Sequence, residues 1–117
     1  MSKFPAGVDQ DRRTSVRIQT QRSGKVLCGA FAWDCVIRDL SSQGVRVQML
    51  AGATPPDQIQ LVDIAAGLAH DVTVAWRRDR ELGLKIARTY DLRGLAPASA
   101  GMAKRIWLAS QAETKAG

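Results

Sequence analysis

Apolar residues recur at every second position over short runs of this chain, and turn residues separate the runs. Val16 and Ile18 alternate with Ser15, Arg17 and Gln19, and a second run, Lys25–Trp33, lies between Ser23-Gly24 and Asp34. A period of two puts alternate side chains on opposite faces of an extended chain, so two strands are predicted there. Cys35–Asp39 adds a third, Ser41–Gly44 supplies turn chemistry, and Val45, Val47 and Met49 alternate with Arg46 and Gln48 in a fourth. After a loop from Gly52 to Asp57 with a Pro55-Pro56 stop, Ile59 and Leu61 alternate with Gln60 in Gln58–Ile64, and Gly67 marks the next turn. Val72, Val74 and Trp76 then share one face of a strand, Arg77–Glu81 forms a polar turn, and Leu82, Leu84 and Ile86 share one face of its partner. Six or seven strands spaced about a dozen residues apart, with almost no helical period before Tyr90, predict an all-β barrel or sandwich.

The period changes after Gly94 and Pro97. Met102, Ile106 and Ala109 share one face of a helix, Ala103 and Trp107 lie beside it, and Ser99 is placed to cap it. A helix over about 99–111 therefore closes the fold. Residues 1–10 carry Pro5 and Gly7 with little periodicity and read as a flexible arm, and 113–117 read as a frayed tail. One domain over 11–112 remains, since 117 residues suffice for one hydrophobic core and are too few for two ordinary ones.

Composition narrows the class. With 45% hydrophobic and 24% charged residues the chain is not a disordered one, and its longest uncharged runs, Val47–Pro56 and Gly94–Ala103, are too short to span a bilayer as helices. No membrane insertion is expected. The start Met1-Ser2-Lys3-Phe4-Pro5 lacks the apolar stretch of a secretory signal, which gives a cytoplasmic expectation. Cys28, Cys35 and His70 are too few for a zinc site, so both cysteines read as small apolar residues, and neither metal nor cofactor is expected. His70, beside Asp71 in a hairpin segment, reads as a surface turn residue with no nucleophile or base to work with. The formal charge is +6, and the first 25 residues supply +4 of it, with Lys3, Arg12, Arg13, Arg17, Arg22 and Lys25 against Asp9 and Asp11. An anionic partner suits that balance.

Two clusters stand out. In Asp11-Arg12-Arg13-Thr14-Ser15-Val16-Arg17, three guanidiniums gather where the arm meets the first strand. Guanidiniums bind phosphate through paired hydrogen bonds and bond to or stack on guanine, although such a cluster also occurs as a solvated strand edge. In Asp39-Leu40-Ser41-Ser42-Gln43-Gly44, Asp39 can accept from a guanine N–H pair, Ser41 can offer its hydroxyl to phosphate or ribose, and Gly44 permits a close approach that a Cβ would obstruct. The same residues also make an ordinary turn in which Asp39 and Ser41 bond their own backbone.

Together, in this order and about twenty residues apart, Arg12-Arg13-x-x-x-Arg17 and Asp39-x-Ser41-x-x-Gly44 give a sequence that resembles the PilZ domain family, whose members bind the bacterial second messenger cyclic di-GMP. The likeness extends more loosely through Val72-Thr73-Val74-Ala75-Trp76 and Gly83-Leu84, over roughly residues 11–90. It implies a six-stranded antiparallel β-barrel with a C-terminal helix. It also implies a ligand site of Arg12, Arg13, Arg17, Asp39, Ser41 and Gly44, with Arg46 and Trp76 as further candidates. Some relatives hold a guanine against a tryptophan of the late strand, while the alternation of Trp76 with Val72 and Val74 equally suits a core residue. Relatives with an arginine at the position of Arg12 tend to bind two stacked ligands, so two cyclic di-GMP per chain are expected.

The resulting expectation is a receptor without catalytic activity that changes shape on binding and signals to a downstream protein the sequence does not name. Two alternatives stand beside it. One is a ligand-blind scaffold of the same fold, against which the retained arginines argue. The other is a small basic barrel binding single-stranded nucleic acid, for which the aromatic supply is poor. Enzyme chemistry is disfavoured, since no metal cluster, nucleophile–base pair or phosphate-cradling glycine loop is visible.

Overall fold

A computed structural model describes residues 18–52 and 54–116, with side chains over 21–52 and 54–111. Six antiparallel strands, β1 (Ile18–Cys28), β2 (Phe31–Leu40), β3 (Gly44–Met49), β4 (Gln58–Asp63), β5 (Leu68–Arg78) and β6 (Glu81–Asp91), close in the order β1-β2-β3-β6-β5-β4. A 3₁₀ turn, Ala98–Ala100, leads into helix α1, Gly101–Ala116. The all-β expectation thus resolves as a closed barrel of six strands with one C-terminal helix. Closure satisfies the backbone of every strand and leaves no open edge.

Two apolar compartments explain why β1 and β4 are apolar on successive residues. Val26, Ile37, Val47 and Leu61 are fully buried inside the barrel. Their neighbours Leu27 and Val62 face outward and pack with Ala69, Leu92, Ala100 and Ala103 beneath α1. Each fully buried aliphatic side chain of this size contributes about 1.5–3 kcal/mol relative to an exposed one. The Trp107 indole N–H donates to the Ile64 carbonyl at 3.0 Å and pins the helix to the turn after β4.

Several local expectations are corrected. Ser23-Gly24 is no turn: Gly24 lies inside β1, where a Cβ would sit 3.1 Å from Cys35 Sγ and 3.1 Å from the Val62 carbonyl. That glycine is used for close packing, and the reversal comes at Gly29-Ala30, where Gly29 takes φ +58° in the two-residue link between Cys28 and Phe31. The run read as one strand, Lys25–Trp33, is therefore divided: Lys25–Cys28 ends β1, and Phe31–Trp33 opens β2, which continues through Asp34 into the run Cys35–Asp39. His70 is no surface turn residue: it lies in β5, 4% exposed, opposite Leu61 and Thr89. Ser99 does not cap the helix, because the 3₁₀ turn intervenes and closes with Ala100 N–H on the Pro97 carbonyl. The inward face of α1 centres on Ala103, with Met102, Ile106 and Trp107 partly buried and Ala109 exposed. The helix also continues past Gln111 to Ala116, a segment rich in strong helix formers. The expected arm, residues 1–10, lies outside the described residues, as do Arg12, Arg13 and Arg17.

Candidate ligand site on the outer face of the barrel

Two bulges aim the site. In β2, Ile37 pairs with Val47 and Asp39 with Arg46, so Arg38 is an extra residue on that strand. Because side chains alternate strictly along a strand, one extra residue sends Ile37 inward and Asp39 outward, although they are two apart. In β5, Val74 pairs with Leu84 and Trp76 with Gly83, which makes Ala75 the extra residue. Val74 packs against the core, whereas Trp76 turns out and is 43% exposed. The expectation that Trp76 shares a face with Val72 and Val74 fails for this reason.

The pairings Asp39 with Arg46, Arg46 with Gly83, and Gly83 with Trp76 form one continuous row across β2, β3, β6 and β5. Gly83 is what lets the row close. A Cβ there would fall inside the Trp76 indole, so the ring lies directly over the Gly83 backbone. These residues, with Gly44, Val45, Ala75 and Leu84, line a surface depression of about 310 Å³.

Charge in the row is unevenly satisfied. Arg46 donates through Nε to Asp39 Oδ2 at 2.5 Å and through a terminal nitrogen to Glu81 Oε2 at 3.0 Å. The hydrogen bond to Asp39, more than any other influence, holds the Arg46 guanidinium above its ordinary pKa. Asp39 is 6% exposed, and its second oxygen, Oδ1, is buried with no partner among the described residues. Such an acceptor is costly to leave unmet.

The turn holding Asp39 is built by Ser41 and Gly44. The Ser41 hydroxyl accepts from the backbone N–H of Gln43 at 3.4 Å and of Gly44 at 3.2 Å, and Ser41 N–H donates to the Gly44 carbonyl at 2.9 Å. Ser41 thus occupies its hydroxyl in shaping the turn, as the ordinary-turn reading of the motif requires. A Cβ on Gly44 would lie 3.1 Å from the Leu84 carbonyl, so the need for glycine is close packing against β6. The structure therefore brings Asp39, Gly44, Arg46 and Trp76 to one depression with Ser41 in the adjoining turn, while Arg12, Arg13 and Arg17 lie outside the described residues. Sequence reasoning missed Gly83 and Glu81. A glycine inside an apolar strand signals a close approach and points to Gly83; Glu81 carries no local signal, since its partner Arg46 is far away in sequence.

Among the described residues, no helix is long and apolar enough to cross a membrane, and no group of three or more His, Cys, Asp or Glu gathers as a metal site. The class of domain that fold and site define is a closed six-stranded antiparallel barrel with one C-terminal helix and an Asp-x-Ser-x-x-Gly turn at its surface. The PilZ domain family model matches residues 11–95, and the chain belongs to that family. It is a family of cyclic di-GMP receptors, whose domains are typically binding modules and not catalysts. No protein of curated function matches the chain.

Proposed function

We propose that this chain is a cytoplasmic cyclic di-GMP receptor without catalytic activity, an adaptor that changes conformation on binding and signals to a protein partner. The observation carrying this reading is Asp39 Oδ1, a buried, unpartnered carboxylate oxygen in a depression shared with an indole and a guanidinium. A guanine presents a ring N–H beside an exocyclic amine, and in this reading one of these donors meets Oδ1 once the side chains covering that oxygen shift on binding, Oδ2 staying with Arg46. Trp76 offers a flat apolar face to a purine, and Arg46 a guanidinium to phosphate or to the purine edge. Ser41 and Gly44 hold the turn on which Asp39 depends.

Connectivity supports a role for the arginines. Ile18 pairs with Leu40, the residue between Asp39 and Ser41, so β1 begins beside the motif, and Arg17 is the preceding residue in the chain. Arg13 follows within about 13 Å of chain, close enough to grip the other side of a bound dinucleotide. Arg12 adds a third guanidinium, and two stacked ligands bring four phosphate charges together, whose repulsion it would offset. Two cyclic di-GMP per chain is the stoichiometry we propose.

Calorimetric titration tests the reading, with GTP and a short DNA oligonucleotide as controls. Saturable binding of cyclic di-GMP alone, at two per chain, is expected. Binding of the oligonucleotide in its place would make the chain a nucleic-acid barrel, and silence from all three would make it a ligand-blind scaffold.

A further inference from the structure

The Asp39–Gly44 hairpin has a strand on each side. β1 runs beside β2, with Ile18 opposite Leu40, and β6 runs beside β3, with Lys85 opposite Gly44. β6 also follows the turn itself, since Ile86 N–H donates to the Gln43 carbonyl at 3.0 Å. Residues opposite one another in an antiparallel pair share a face. Val45 and its partner Leu84 are buried in the core, so Gly44 and Lys85 stand together on the outer face, where Lys85 is exposed. Gly44 and Leu84 line the depression that holds Asp39, Arg46 and Trp76, which places Lys85 at its border.

Lys85 is uncommitted. Among the described residues its ammonium has no hydrogen-bond or ion-pair partner, whereas Lys25 donates to Asp34 at 2.5 Å and Lys104 to the Gly94 carbonyl at 2.5 Å. Its cross-strand partners, Gly44 on β3 and Thr73 on β5, carry no charge. Gly44 also leaves no side chain between Lys85 and the hairpin. Neighbouring strands lie about 4.8 Å apart, less than the length of a lysine side chain, so the ammonium can reach over Gly44. The cations next in chain to Asp39 and Trp76 are held elsewhere, Arg38 by the Gln48 amide oxygen and Arg77 by Asp57.

Charge gives that lysine a task. Asp39 and Glu81 set two carboxylates against the single guanidinium of Arg46, a net charge of −1. A cyclic dinucleotide carries a negative charge on each of its phosphates, which this group by itself repels. We propose that Lys85 is a ligand residue, its ammonium pairing over Gly44 with a phosphodiester of the bound cyclic dinucleotide while Asp39 meets the guanine. The inference rests on the cyclic di-GMP reading above and adds to it the place of a phosphate, on the β6 side of the hairpin and across it from β1.

Calorimetric titration of the full chain with cyclic di-GMP tests this at two salt concentrations, on the parent and on Lys85→Ala, Lys85→Arg and Lys85→Glu. At about 0.1 M salt, Lys85→Ala should weaken binding about fivefold, since an exposed charge-assisted contact contributes less than a buried one, and Lys85→Glu should weaken it further. Lys85→Arg keeps a cation and should bind within about twofold of the parent. The defect of Lys85→Ala should shrink at about 0.5 M salt, because screening weakens an exposed charge and spares packing. All three substitutions fall on an exposed residue and should leave the urea midpoint in place. A parent that binds while Lys85→Ala and Lys85→Glu titrate like it would overturn this inference and leave the receptor reading standing. A defect that Lys85→Arg shares, or that salt does not change, would make Lys85 a packing residue and overturn the inference likewise. A parent silent to cyclic di-GMP would remove the receptor reading itself, and the inference with it.

Discussion

The barrel holds two arginine–aspartate pairs of nearly identical geometry whose carboxylates are differently satisfied. Arg22 meets Asp63 at 2.6 Å and Arg46 meets Asp39 at 2.5 Å, with the arginine side chains 34% and 32% exposed and the aspartates almost completely buried. The difference lies in the second carboxylate oxygen. Asp63 Oδ1 accepts from Ala66 N–H at 3.2 Å, so that pair helps close the turn between β4 and β5. Asp39 Oδ1 has no donor among the described residues, and its arginine is shared with Glu81. Distances and burial therefore do not separate the two pairs; both Asp63 oxygens are bonded, whereas Asp39 has one left open for the proposed ligand, and in the Arg22 pair the buried atom without a partner among the described residues is the guanidinium Nε.

Removing each carboxylate should separate the two roles most sharply. Asp63→Ala leaves the Ala66 amide unpaired and Arg22 without its anion, at a cost of about 2–4 kcal/mol, reduced from the value for broken fully buried pairs because Arg22 is a third exposed. Asp39→Ala leaves Arg46 its second partner Glu81, so the loss of stability should stay under about 1 kcal/mol while cyclic di-GMP binding disappears. Urea unfolding and calorimetry on both variants check this. The contrast fails if Asp39→Ala unfolds the protein as readily as Asp63→Ala does, or if it still binds ligand like the parent.

Next in size are the arginines that should face Asp39 across the ligand. Arg13→Ala or Arg17→Ala each removes a charge-assisted contact of about 1.5–3 kcal/mol and should weaken binding about tenfold or more with the fold intact. Arg12→Leu should instead lower the stoichiometry from two toward one and keep appreciable affinity. Calorimetry with accurately known protein concentration reads both effects. Parent-like titrations from Arg13→Ala and Arg17→Ala together would move the ligand site elsewhere.

A smaller effect is expected from the glycine that seats the tryptophan. Gly83→Ala places a Cβ inside the indole position, so Trp76 must leave the row. Affinity should fall about tenfold, the scale of a lost aromatic stacking contact, with a changed indole environment in the tryptophan emission spectrum. Unchanged affinity would remove Trp76 from the site.

The strands from β3 to β6 were legible in the sequence because alternation and punctuating turn residues coincide there, as at Val45, Val47 and Met49 or at Gly67. The Asp39-x-Ser41-x-x-Gly44 turn was legible too, since it is local, while Arg12, Arg13 and Arg17 lie outside the described residues. What was hidden depends on partners distant in the chain. The bulges at Arg38 and Ala75 follow from how each strand fits its neighbour, so nothing near Trp76 announces that it turns out. Gly24 and Gly29 look alike in sequence, yet one serves packing and the other a turn. His70 reads as a surface residue until β1 and β4 bring Arg22 and Asp63 to the same region.

That histidine gives the structural pair a pH signature of its own. Its Nδ1 shares a 2.8 Å hydrogen bond with Thr89 Oγ1, and Nε2 is buried without a partner among the described residues. Burial lowers the His70 pKa from its ordinary 6.5; Asp63 opposes the shift and Arg22 adds to it. The folded protein therefore resists a proton that the unfolded chain accepts. Stability from this group is complete above pH 6.5 and is lost as pH falls from there toward the lower folded value. The slope approaches, at most, about 1.4 kcal/mol per pH unit for one proton. His70→Asn keeps a group able to bond Thr89 but does not titrate, so its urea midpoint should be lower at neutral pH and flatter between pH 7.5 and 5.5. A parent midpoint that does not move over this interval would show that His70 lends no pH dependence, and a His70→Asn variant as steep as the parent would assign the acid sensitivity to other groups.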